Sequence, residues 1–195
     1  MKFSTISVLT IAATSLAFLQ PHNAMAQDAA SAKVQLVPAV ASLSTSLDSK
    51  KAQAGQAFSA SLEGKVRLAN GTELPSGSQL IGTIVAGNGG AGAQSLSLKF
   101  VKAKVKGGKE IPITAIIVNV TPSDGAGLPP DALPLSEGLA SGSSHQVDRV
   151  DVVKGVDLHS HLDGDQSSVF VATNKKDVKL GSTTYLSLAI EQAAN

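Results

Sequence analysis

After its first 33 residues the apolar residues of this chain fall in short segments, several with every second position apolar and none with the pattern of an amphipathic helix, which points to short β-strands. Phe58, Ala60 and Leu62 alternate with Ser59, Ser61 and Glu63. Leu186, Leu188 and Ile190 alternate with Ser187 and Ala189. This is the period of a strand with one buried face. Residues 43–47 alternate in the same way, 94–105 form a long β segment, 80–86 read as a mostly apolar, buried strand, and 111–120 and 169–172 as further strands. Turn signals separate them: residues 50–55, Asn70-Gly71, Pro75-Ser76-Gly77-Ser78 and Lys106-Gly107-Gly108-Lys109. Asn and Gly tolerate positive φ, and Pro presets φ at a turn, so these clusters dictate where the chain reverses. No segment after the first 26 residues has the pattern of an amphipathic helix. The expectation is all-β: a single antiparallel β-barrel or β-sandwich over residues 34–191.

One strand carries a finer signal. Leu96, Leu98 and Phe100 share one parity, and Val101, Ala103 and Val105 take the other. A one-residue slip within a long strand predicts a β-bulge near Phe100-Val101. Gly82, inside another strand, predicts a bulge or a close backbone approach. Residues 121–149, rich in Pro, Gly and Ser, interrupt the alternation, and the β pattern returns at Val150. A stretch of that length without periodicity is expected to be a mobile excursion or a functional loop.

The N-terminus reads as an export signal. Lys2 is followed by an apolar run over residues 6–19 and by Ala24-Met25-Ala26, a small-residue cleavage site. Residues 1–26 are the expected signal peptide, and residues 27–33 a disordered leader of the mature chain. The protein is expected to be exported, to a periplasm or to the outside. Lys2 is the one charged side chain of the signal, so its removal brings the formal charge from +1 to zero. No general field then draws the chain to nucleic acid or anionic lipid. Cysteine is absent, which excludes disulfides, a lipid-anchored cysteine and thiolate metal sites. After residue 26 only Phe58, Phe100, Phe170 and Tyr185 are aromatic. Membrane-barrel girdles and base-stacking platforms need more. No transmembrane segment is expected after cleavage, and no nucleic-acid partner.

Two resemblances bear on the chain. Leu47-Asp48-Ser49-Lys50-Lys51-Ala52-Gln53-Ala54-Gly55-Gln56, Leu74-Pro75-Ser76-Gly77-Ser78-Gln79-Leu80-Ile81-Gly82 and Lys109-Glu110-Ile111-Pro112-Ile113 follow in that order. So ordered, they resemble an uncharacterised exported bacterial all-β protein family, over about residues 40–118 and 168–190. Pro75-Ser76-Gly77-Ser78-Gln79-Leu80-Ile81-Gly82 is also similar to a segment in the C-terminal barrel of the type IV secretion core-complex subunit. That likeness implies barrel architecture. It implies no channel role, because the amphipathic helical hairpin that forms the pore has no counterpart here.

Four groups of residues have chemical potential. His159, His161, Asp163 and Asp165 form an H-x-H-x-D-x-D series. On a strand such residues share a face, and two imidazoles with a carboxylate suit Zn²⁺. His159, His161 and Asp163 are the candidate metal ligands. The competing reading is an exposed polar face, with Asp163-Gly164-Asp165 forming a turn that ends the strand after Leu162. Lys99, Lys102, Lys104, Lys106 and Lys109 cluster around one hairpin. They predict a lysine-guarded sheet edge first, and an anion-binding surface second. Gly87-Asn88-Gly89-Gly90-Ala91-Gly92 matches G-x-G-x-x-G, but a strand is expected after it where a dinucleotide site needs a helix. His145 and His159 are candidates for a hydrolase only if a Ser and an Asp join them, and no G-x-S-x-G elbow is present. No catalytic residue and no cofactor are assigned. The expected role is a non-catalytic interaction or structural module of the cell envelope, with a metal-binding protein and a hydrolase as rivals.

Overall fold

A computed structural model describes residues 36–87, 95–122, 146–162, 164–174 and 177–193. Thirteen strands and no helix occur among them. They are β1 (Val37–Leu43), β2 (Leu47–Asp48), β3 (Ala57–Leu62), β4 (Val66–Arg67), β5 (Glu73–Leu74), β6 (Gln79–Gly87) and β7 (Ser95–Lys104), followed by β8 (Glu110–Thr121), β9 (Gln146–Val153), β10 (Val156–His161), β11 (Ser167–Ala172), β12 (Lys179–Leu180) and β13 (Tyr185–Gln192). Six of them close an antiparallel barrel in the order β6-β3-β1-β13-β8-β7, with β7 returning to β6. The fold is therefore a barrel rather than a sandwich.

Inward parity fills the barrel. Phe58, Ala60 and Leu62 of β3, Leu80 and Ile84 of β6, Leu98 and Phe100 of β7, and Leu186, Leu188 and Ile190 of β13 are all buried in one cluster. Phe58 and Phe100 meet edge to face at 5.1 Å. Two small sheets close the ends. Between β4 and β5 the Asn70-Gly71 turn carries Leu68 and Leu74 into the core, and Thr72 donates to Gln192 Oε1 at 3.1 Å. At the other end β2 pairs with β12, and Leu47, Val178 and Leu180 face inward. Ser49 holds that cap: its Oγ accepts from Val178 N at 3.0 Å and its N–H donates to Val178 O at 2.9 Å.

The expected bulge is present. Gly82 pairs with Phe100 and Ile81 with Lys102, so Val101 is the extra residue. A second slip makes Val85 the extra residue of β6. A third lies on β9, where Val150, Asp151 and Val152 stand against Asp157 alone. The exposed large hydrophobics of the described residues are Val85, Val101 and Val150. All three sit at ladder slips, where the extra residue is turned out of register.

β7 makes the structure branch. Lys102, Ala103 and Lys104 pair with β8, whereas residues 95–98 pair with β11. On its other side β7 is bonded to β6. β8 leaves β7 beyond Pro112, and β11, β10 and β9 form a flap that folds against the parting. Phe170, Leu158 and Val156 of the flap join the barrel core. Val147 and Leu162 pack on Ile116, Val118 and Ala189 in a second, outer cluster. The edge of β8 at the parting is satisfied by flap side chains: Ser168 Oγ accepts from Ile117 N at 2.8 Å, Ser160 Oγ donates to Ile117 O at 2.6 Å, and Arg149 Nε donates to Val118 O at 2.8 Å. A buried backbone group left without such a partner would cost about 1–3 kcal/mol.

Three expectations need correction. The alternation at residues 43–47 is not one strand: β1 ends at Leu43, where Leu43 N bonds Thr184 O and Thr183 N bonds Leu43 O, and the chain leaves to build the cap. Residues 146–149 belong to β9 rather than to the loop, because Val147 is buried and Arg149 has a backbone carbonyl to reach. Thr121, likewise given to the loop, ends β8 opposite Tyr185. The central part of that loop, residues 123–145, and the leader, residues 27–33, lie outside the described residues, as do residues 1–26 and the glycine-rich segment 88–94.

Candidate functional site

The outer face of the flap brings the two histidines together with residues that no local pattern pointed to. β10 alternates Val156, Leu158 and Ser160 inward with Asp157, His159 and His161 outward. In the register with β9, His159 lies opposite Asp148 and His161 opposite Gln146. His159 Nδ1 is 2.7 Å from Asp148 Oδ1, and Gln146 Nε2 donates to Asp148 Oδ2 at 2.6 Å. The His159 and Asp148 side chains are 41% and 51% exposed, so solvent reaches the pair. The hydrogen bond with His159 holds the Asp148 carboxyl below the usual carboxylate range; partial desolvation opposes this, and Gln146 and the charges of His159 and His161 add to it.

The acids of the series do not follow the strand. β10 ends at His161, and Gly164, at a φ of 74°, and Asp165 form the next turn. Asp163 lies outside the described residues. Among the described residues no three His, Cys, Asp or Glu side chains gather as a ligand set. Asp148 was missed because the signal is a cross-strand register across a turn, which no spacing within one segment reveals.

The lysines do not guard an edge. β7 is bonded on both sides, to β6 and to β8 at Lys102 and Lys104, so the protective reading fails. The edge strand is β9, blunted instead by its irregular stretch: Asp151 takes a φ of 54°, its N–H bonds Asp157 Oδ1, and its Oδ1 accepts from Gly155 N. Lys102 pairs with both carboxylate oxygens of Glu110 at 2.9 Å. Among the described residues Lys104 and Lys106 have no ion-pair partner. They line an open groove of about 480 Å³ between the turn at residues 75–78 and the hairpin turn at residues 105–108, together with Ser76, Gln79, Gly107 and Gly108. A second depression, of about 390 Å³, lies beside the β2–β12 cap and carries both signs of charge, from Asp48, Lys51 and Lys179.

Ser160 is no nucleophile for His159. Its side chain lies on the opposite face of β10, is fully buried, and bonds Ile117 O and Ser168 Oγ. His145 lies outside the described residues. The first described element after the G-x-G-x-x-G segment is the strand β7, where a pyrophosphate site needs a helix. Comparison with protein-family models, with curated proteins and with solved structures finds no match.

Proposed function

We propose that the protein is an exported, non-catalytic module of the cell envelope that holds a phosphate-bearing anionic partner in the groove between the turn at residues 75–78 and the hairpin turn at residues 105–108. The reading rests on Lys104, at the end of a strand that needs no edge protection, and Lys106, in the hairpin turn that follows, which both line an open groove. The barrel interior is packed with aliphatic and aromatic side chains and capped at both ends, which directs binding to the outside. Ser76 and Gln79 add polar groups to the same groove. The mature chain is neutral, so the attraction is local and should be strongly screened by salt.

Purified mature protein should co-sediment with phosphatidylglycerol-containing vesicles, and bind inorganic polyphosphate, at low salt. It should ignore pure phosphatidylcholine. A basic side chain near such a surface contributes about 1 kcal/mol, so removing both lysines by Lys104→Gln with Lys106→Gln should weaken binding about 30-fold. Binding unchanged by the double substitution, or no binding by the unsubstituted chain, overturns the proposal.

Export is tested separately. The intact mass of the protein recovered from the periplasm or medium should correspond to a chain beginning at Gln27, because Ala24 and Ala26 fit the small −3 and −1 requirements of signal cleavage. A folded product that retains Met1 would remove the compartment from the proposal.

A further inference from the structure

His159 and His161 are two residues apart on β10 and share its outer face. The strand rise sets their Cα atoms about 6.8 Å apart, within the span that two imidazoles can close around one ion. The Asp148 carboxylate fixes which nitrogen of His159 is available. An ionised carboxylate only accepts, so Nδ1, at 2.7 Å, is the donor; in the neutral ring the lone pair is then on Nε2, on the side away from Asp148 and free for an ion. Metal-bound histidines have this arrangement: the nitrogen remote from the ion donates to a carboxylate, which sets the tautomer and steadies the ring. Gln146 steadies the carboxylate in turn by donating to its second oxygen.

We propose that this face of the flap is a site for an imidazole-preferring divalent cation of the Zn²⁺ type. His159 and His161 are its two protein ligands, and Asp148 is a positioning residue that acts through His159. Water or an oxygen group of a bound partner completes the tetrahedral shell. The site is separate from the lysine groove and does not depend on its function. An ordinary cross-strand His–Asp pair would explain the 2.7 Å contact, but it would assign nothing to His161 and would be indifferent to metal.

The test uses the untagged mature chain and zinc chloride, followed by calorimetry and by the imidazole NMR signals. Zn²⁺ should bind at one saturable site, shift the Nε2 resonances of both histidines, and raise the melting temperature by several degrees at saturating concentration. His159→Ala and His161→Ala should each abolish the saturable phase. Asp148→Asn should keep both ligands and weaken binding ten- to a hundredfold. Asp148 is exposed and the two histidines are half-buried on the outer face, and circular dichroism confirms that each variant is folded before titration. Absence of saturable binding overturns the site, as does binding that survives both histidine substitutions. Binding unaffected by Asp148→Asn overturns the positioning role.

Discussion

Replacing Phe100 by alanine should destabilise the domain by about 3–5 kcal/mol, the usual cost of emptying a buried phenylalanine site. Phe100 is 1% exposed and meets the Phe58 ring edge to face. It sits at the parting of the barrel, between the part of β7 that pairs with β11 and the part that pairs with β8. The surrounding strands are held by their ladders and cannot collapse into the space it leaves. For a domain of this size the loss lowers the melting temperature by roughly 10 °C. Total stabilities of about 5–15 kcal/mol make this a large fraction of the whole. Urea denaturation monitored by circular dichroism measures it. A loss below about 1 kcal/mol would show that the barrel core is not centred on the Phe58–Phe100 contact.

The second large effect is expected at Gly82, by the opposite mechanism. A Cβ on Gly82 would overlap the Phe58 ring and stand 2.6 Å from the carbonyl oxygen of Lys99. The ring can rotate away, but the backbone oxygen cannot move without breaking the β6–β7 ladder. Gly82→Ala should therefore cost about 1–3 kcal/mol, the range for overpacking a tight core, and Gly82→Val more. Combining Gly82→Ala with Phe58→Leu removes the ring overlap and leaves the carbonyl overlap. The double-mutant cycle should show partial rescue, since residues in contact couple. Full rescue would place the whole constraint on the ring, and additive losses would show that the two positions do not touch.

Both residues illustrate what a one-dimensional pattern reveals. The parity slip at Phe100-Val101 and the lone glycine in an apolar strand mark a bulge and a close approach, and the structure has both. The turns at Asn70-Gly71, Pro75–Ser78 and Lys106–Lys109 were equally legible, because their backbone demands are local. The caps were not: β2, β4, β5 and β12 have two residues each, too short to show any period. Nor was the branching of β7, because parity says which face is buried but not which strand lies alongside. The same blindness hid the partner of His159. Asp148 is 11 residues away, beyond an irregular stretch whose length alone sets the register. The lysine cluster was visible as a charge pattern and misjudged as edge protection, since edge or interior is a property of the closed sheet.

The position of β13 carries a consequence for how the molecule comes into being. This last of the described strands lies between β1, the first of them, and β8, pairing Ile190 with Val37 on one side and with Ala115 on the other. Until it emerges, both of those ladders lack their common partner, and the ring cannot close. Consecutive hairpins such as β6–β7 and β7–β8 can assemble early, but the closing step joins chain ends and carries the entropy of a long loop. A nascent chain missing its final twenty residues or so is therefore an open ribbon with two sticky margins, not a smaller version of the native domain. A protein with this topology acquires its structure late and as a whole.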